Sequence, residues 1–190
     1  MARARGKRVP PVVTAAYLER VVGTYLERYF TTRFHLRRLL MRRVYRSARY
    51  HHVDPADGEQ LVDALLDRLE RARVLDDEAW ARGRVRTLRR RGASARSIRA
   101  ALREKGVPGA IVRQCLDEVD GDQGEPELAA ALTYARKRRL GPYRHDPDQR
   151  EVQAQRDLAR LARRGFSYDV SRTVIDAPDV ASIQERLDEE

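Results

Sequence analysis

Apolar residues recur at helical intervals almost from one end of this chain to the other. Tyr17, Leu18, Val21, Val22, Tyr25, Leu26, Tyr29 and Phe30 come in pairs four residues apart, which places them on one stripe of a helix. Leu36, Leu39, Leu40 and Val44 follow the same rule, as do Leu61, Val62, Leu65, Leu66 and Leu69. Strand-like alternation is almost absent. The punctuation between stripes agrees with helices. Thr31 or Thr32, Asp76, Ser94 and Ser167 each stand where a side-chain oxygen accepts the unpaired amides of a new helix. In Asp54-Pro55 and Asp146-Pro147 an acidic cap precedes a proline whose missing N–H costs nothing in the first turn. Gly92, Gly106, Gly141 and Gly165 fall just past periodic segments, where a left-handed residue closes a helix. From cap to cap this predicts nine helices, at about 14–30, 32–49, 58–73, 77–91, 94–105, 108–119, 126–140, 147–164 and 168–176.

Two stretches share a skeleton. "LREKGVPGAIVRQCL" (Leu102–Leu116) and "LARRGFSYDVSRTVI" (Leu161–Ile175) align Leu102 with Leu161, Gly106 with Gly165, Val107 with Phe166, Ile111 with Val170 and Leu116 with Ile175. Such a recurrence implies tandem modules, each with a small core. The expected architecture is all-α: an elongated array of three three-helix, helix-turn-helix-like repeats over 14–75, 76–120 and 126–176. A basic, disordered stretch over 1–13 precedes them and an acidic tail over 177–190 follows. That tail either forms a short helix through Val180, Ile183 and Leu187 or stays disordered. The polar linker "DGDQGEP" (Asp120–Pro126) is the clearest break between modules. The first repeat is less faithful, because its link "YRSARYHHVDPADG" is longer and has no glycine at the expected turn.

Charge sharpens the picture. The net charge is +10, and it is unevenly spread: +11 over residues 1–50, −3 over 51–75, +4 over 76–120 and −2 over 121–190. A positive field concentrated at the amino-terminal end suits a polyanion or an acidic protein surface. Cys115 is the sole cysteine, which excludes an internal disulfide and a thiolate metal cluster. No apolar run approaches the roughly 20 residues that span a bilayer, and "MARARGKRVPP" lacks the apolar region of a signal peptide. The chain therefore reads as soluble and cytoplasmic, with no membrane contact. It contains no GxxxxGK[ST] loop, GxGxxG, HExxH or CxxC, so no enzymatic activity, cofactor or metal is expected. His51-His52 with Asp54 makes a poor metal site, since adjacent histidines diverge on a helix; a solvated loop explains them better. Cys115 reads as a small core residue, and Trp80 with Val85 and Leu88 reads as core of the second module.

Arginines carry the functional signal. Arg82, Arg86, Arg89 and Arg90 fall largely on one helical face, and Arg96, Arg99 and Arg103 recur at i, i+3, i+7 on the next. Two such faces joined by a short turn present guanidinium forks to phosphates or carboxylates; a solvated, salt-laced surface is the plainer alternative. Arg89 and Arg99 are expected to be exposed. Arg37, Arg38 and Arg42 in the basic amino-terminal half, and Arg163 and Arg164 beside the second copy of the repeated phrase, complete the candidate contacts for partner or DNA.

These residues also carry a resemblance. "LDDEAWARGRVRTLRRRGASARSIRAALREKGV" (Leu75–Val107) resembles the central signature of the RecX family of recombinase regulators. The matching steps are Leu75-Asp76-Asp77, Trp80-Ala81-Arg82, Arg96, Ile98-Arg99, Leu102 and Lys105-Gly106. "ARKRRL" (Ala135–Leu140), Asp146-Pro147 and "LARRGFSYDVSRTVI" are similar to the family's third repeat. "YLERYFTTRFHLRRLL" (Tyr25–Leu40) fits the first less closely, with His35 where the family often has an acid and Arg43-Val44 in place of a basic-Gly turn. The resemblance spans roughly 14–176. It implies an elongated, curved helical rod that binds the RecA–single-stranded-DNA filament and inhibits its ATPase, strand exchange or growth; the chain is expected to act as a monomer. Two other readings stand beside it: a sequence-tolerant helix-turn-helix protein that binds DNA without RecA, and a scaffold for another helical partner.

Overall fold

The computed structural model describes residues 9–121 and 124–188. The expectations for residues 1–8, for Asp122 and Gln123 of the linker, and for the last two residues of the tail lie outside the described residues. Among the described residues there are ten α-helices, one 3-10 turn and no strand. They are α1 (Ala15–Leu26), α2 (Arg33–His51), α3 (Pro55–Arg71), α4 (Asp77–Arg90), α5 (Ala95–Arg103), α6 (Gly109–Asp120), α7 (Pro126–Arg138), α8 (Asp148–Arg163), α9 (Tyr168–Ile175) and α10 (Val180–Asp188). The 3-10 turn, Gly141–Tyr143, links α7 to α8.

The caps fall where the polar residues signalled them. Thr32 accepts from His35 N–H, Asp76 from Ala79 N–H, Ser94 from Ser97 N–H and Ser167 from Val170 N–H. Helix α3 begins at Pro55, three residues before the expected start, because Asp54 caps it by accepting from Ala56 N–H at 2.8 Å. Helix α1 stops at Leu26, so Tyr29 and Phe30 lie beyond it and are exposed rather than on its buried stripe. Three helix ends do without glycine: His52, Arg73 and Arg139 close α2, α3 and α7 at φ of 56, 56 and 53°. Residues 9–13, part of the stretch expected to be disordered, are held against α2. Ser47 donates to Pro11 O at 2.9 Å, and the His51 ring meets Pro10 O at 2.8 Å.

Two compact units divide the chain after Trp80, inside α4. The first unit is built on Leu18 and Val22 of α1, Leu36, Leu40 and Val44 of α2, and Val62, Leu65 and Leu66 of α3, all buried. Arg33 clamps it. Its guanidinium reaches Asp67 at 2.8 Å and Glu70 at 2.7 Å, and its N–H donates to Asp77 Oδ1 at 2.7 Å. Burial pushes the Asp77 carboxyl above its ordinary pKa, against the pull of that N–H. Trp80 corrects an expectation: it is half-buried and donates its indole N–H to Phe30 O at 3.0 Å, so it serves the first unit rather than the core of the second module.

In the second unit the repeated phrase becomes a repeated turn. Leu102 and Leu161 are fully buried. Val107 N–H donates to Leu102 O at 3.2 Å and Phe166 N–H to Leu161 O at 3.3 Å, around Gly106 at φ 75° and Gly165 at φ 90°. Gly92-Ala93-Ser94 is a third copy, with Ala93 N–H on Leu88 O at 3.1 Å. Such positive φ angles favour glycine. At Gly92 space demands it as well, since a Cβ there would stand 2.7 Å from Tyr134 N and 2.8 Å from Ala130 O. The α4–α5 turn is thus pressed onto α7. Ser94 Oγ also donates to Arg164 O at 2.7 Å, and Ala95 N–H to Glu127 Oε1 at 2.7 Å. The described segments on either side of the linker therefore belong to one compact unit.

Helices α7, α8 and α9 share a core of Leu128, Ala131, Leu132, Ala135, Leu140, Leu161, Phe166, Val174 and Ile175, and Ile183 of α10 is buried in it. The tail, left open between helix and disorder, is helical over Val180–Asp188. Asp157 is fully buried in α8; it accepts from Gly141 N–H at 3.1 Å and takes the Arg144 guanidinium at 2.8 and 2.7 Å. That pairing fixes the 3-10 turn on α8.

Candidate functional site

The structure sorts the candidate arginines by their neighbours. On α4, Arg82 donates to Glu118 Oε2 at 2.7 Å, and that bond, aided by Gln114, holds the Glu118 carboxyl below its ordinary pKa. Arg89 corrects the expectation of exposure. Its side chain is only 10% exposed and lies between Asp120, at 2.5 Å, and Glu127, at 2.7 Å, with a further bond to Ala93 O at 3.1 Å. Burial works against its charge, but those two carboxylates outweigh it and raise its pKa. Both guanidinium edges are occupied, so Arg89 joins the end of α6 to the start of α7. Arg86 and Arg90 are exposed on the same helix and flank an open groove of about 730 Å³ bounded by Ala129 and Thr133 of α7.

Arg99 of α5 is exposed, as expected, and so are Arg96 and Arg103. Arg99 and Arg103 join Arg113 of α6 around a smaller hollow of about 270 Å³ floored by Val107 and Val112. Arg163 and Arg164, at the end of α8, are exposed too. They come together with three residues that sequence reasoning did not single out: Tyr134 and Arg138 of α7 and Arg160 of α8. The five line a groove of about 480 Å³. The Arg164 guanidinium lies 5.3 Å from the Tyr134 ring centre, a cation–π contact that holds it across the groove wall. Arg160 is tethered at 3.4 Å to the buried Asp157. The i, i+3, i+4 spacing of Arg160, Arg163 and Arg164 was visible in the sequence. That the last turn of α8 faces the last turn of α7 was not, since it depends on the 3-10 turn held by Asp157.

In the first unit Arg37 grips Asp63 with two bonds, at 2.7 and 3.1 Å, and lowers that carboxyl's pKa. Arg38 and Arg42 of α2 are exposed.

The chemistry available is recognition. Guanidinium groups remain charged, offer five donors in a planar fork and suit phosphate or carboxylate oxygens. Among the described residues no cluster of three His, Cys, Asp or Glu could hold a metal ion, and no helix is long and apolar enough to cross a membrane. Cys115 is buried, consistent with a core role.

The fold is all-helical, with repeated helix-turn-helix turns and arginine-lined grooves on its surface. Its kinship is specific. Residues 76–116 match a family model described as RecX, second three-helix domain. The chain is 41% identical over 173 residues to a regulatory protein RecX of Myxococcus xanthus, covering 91% of each chain. It is 30% identical over 151 residues to a regulatory protein RecX of Agrobacterium fabrum, covering 79% of this chain and 77% of the relative. A crystal structure of a regulatory protein RecX superimposes with a TM-score of 0.60 at 23% identity, over 86% of this chain and 72% of that one. The chain belongs to the RecX family.

Proposed function

We propose that this protein is a non-enzymatic, cytoplasmic modulator of the RecA recombinase that binds the RecA–single-stranded-DNA filament and suppresses its ATPase, strand exchange or growth. The reading draws on membership of a family whose named members are regulatory proteins. The observation that carries it is the groove of Arg138, Arg160, Arg163 and Arg164 around Tyr134, a concave basic surface set on packed helices. Filament proteins and their DNA offer carboxylates and phosphates at regular intervals, and a rigid cluster of forks meets them without a large ordering cost. A second basic unit on the same chain multiplies the effect. If both units engage neighbouring sites, effective concentration raises affinity by about 10²–10⁴ over either contact alone.

The test is the single-stranded-DNA-dependent ATPase of RecA, titrated with this protein with DNA in excess. Inhibition at well below one protein per RecA supports filament binding, since sequestration of free DNA is then too small to matter. No inhibition, alongside salt-sensitive DNA binding, would replace this reading with a helix-turn-helix DNA-binding protein acting without RecA.

A further inference from the structure

The strong positive charge of residues 1–50 has a structural counterpart in α2. That helix carries seven arginines and no acidic residue. Three of the seven are engaged within the unit: Arg33 with Asp67 and Glu70, Arg37 with Asp63, and Arg43 with Leu39 O. The other four, Arg38, Arg42, Arg46 and Arg49, are exposed and have no ion-pair partner among the described residues. At 100° per residue they fall within an arc of about 80°. Three large aromatic side chains flank this arc, Phe34, Tyr45 and Tyr50, each about half exposed. With a rise of 1.5 Å per residue, the stripe from Phe34 to Tyr50 runs about 24 Å.

Folding stability does not account for this face. Arginines crowded at i, i+4 spacing repel one another, and exposed aromatic rings forgo burial. The nearby acids do not neutralise it either, because Asp63 is bound by Arg37 and Glu59 accepts the Tyr45 hydroxyl at 2.7 Å. That last bond raises the phenol's pKa and keeps it neutral. It also tethers the tip of a ring that is about half exposed. We propose that the outer face of α2 is a binding site for single-stranded nucleic acid. Arg38, Arg42, Arg46 and Arg49 take backbone phosphates, and Phe34, Tyr45 and Tyr50 stack on bases. Charge selects a polyanion, and the aromatic rings select one whose bases are unpaired, because duplex bases already stack on each other. The proposal rests on the filament reading only for its purpose; the binding stands or falls without recombinase.

The experiment measures anisotropy of a fluorescein-labelled oligothymidylate, and of a labelled duplex, against the full chain over a salt series. Arg42→Ala with Arg46→Ala is expected to weaken strand binding at least tenfold and to make the log–log salt slope shallower by about 1.4, at 0.7 per phosphate on single strands. Phe34→Ala with Tyr50→Ala is expected to weaken strand binding about thirtyfold, the lower end of base–aromatic stacking for two rings, and to spare duplex binding. Circular dichroism should show unchanged helicity, since all four side chains are exposed. Unaltered affinity in the arginine variant would overturn the proposal. Equal loss on strand and duplex in the aromatic variant would also overturn it, and would make the face a general polyanion contact. Because the oligonucleotide is presented without RecA, failure here leaves the ATPase titration undecided, and failure there leaves this binding intact.

Discussion

Arg86 and Arg89 stand three residues apart on α4, yet their surroundings give them different work. Arg89 is enclosed by two carboxylates and a carbonyl, whereas Arg86 looks into an open groove. Truncating an enclosed cation removes its bonds and leaves Asp120 and Glu127 facing each other without a counter-charge. Arg89→Ala is therefore expected to lower unfolding stability by about 3 kcal/mol. Arg86→Ala should stay within about 0.5 kcal/mol. Urea unfolding followed by circular dichroism checks both, and equal effects would mean that the enclosure of Arg89 is not holding the unit together. This contrast was hidden in the sequence, where both residues sit on one basic face. A helical wheel says which side a residue occupies; it does not say that α7 will be laid against that side. What hides the joint is that Glu127 lies 38 residues from Arg89 and across the linker that looked most like a break.

At the scale of elements, the recurring Leu–Gly–apolar phrase was legible because its physics is local. A buried leucine, a residue at positive φ and an amide returning to the leucine's carbonyl need only a few consecutive positions. Caps were legible for the same reason, as Thr32, Asp76, Ser94 and Ser167 bear out. Helix ends closed by His52, Arg73 and Arg139 were not, since none of these residue types marks a left-handed position as plainly as glycine does. The extra helix in the tail turned on whether Ile183 finds a core, and it does. Because Leu102 and Leu161 hold equivalent, fully buried places, Leu102→Ala and Leu161→Ala are each expected to cost about 2–5 kcal/mol. Thermal melts of the two variants, run side by side, test the equivalence. A negligible change in either would show that its copy of the phrase merely resembles the other in sequence.

For the whole molecule, the question is whether recognition depends on charge at particular places or on net charge alone. Arg138 and Arg163 are exposed, lie on different helices and face the same groove. Arg91 and Arg113 are also exposed, and neither lines that groove. Reversing either pair removes the same four units of positive charge and changes long-range attraction equally, a component that salt screens within about 10 Å at 0.1 M. Only the first pair breaks the cluster of forks around Tyr134. The filament reading therefore predicts that Arg138→Glu with Arg163→Glu raises the half-inhibitory concentration for RecA's ATPase at least tenfold, while Arg91→Glu with Arg113→Glu raises it much less. Both variants should melt within about 0.5 kcal/mol of the parent, because surface changes away from packed features cost little. Running the titration at two salt concentrations separates the causes. A loss specific to the groove persists as salt rises, whereas a loss due to net charge shrinks and becomes the same for both variants. The second outcome would show that the groove is incidental and that the chain acts on the filament only through its overall field.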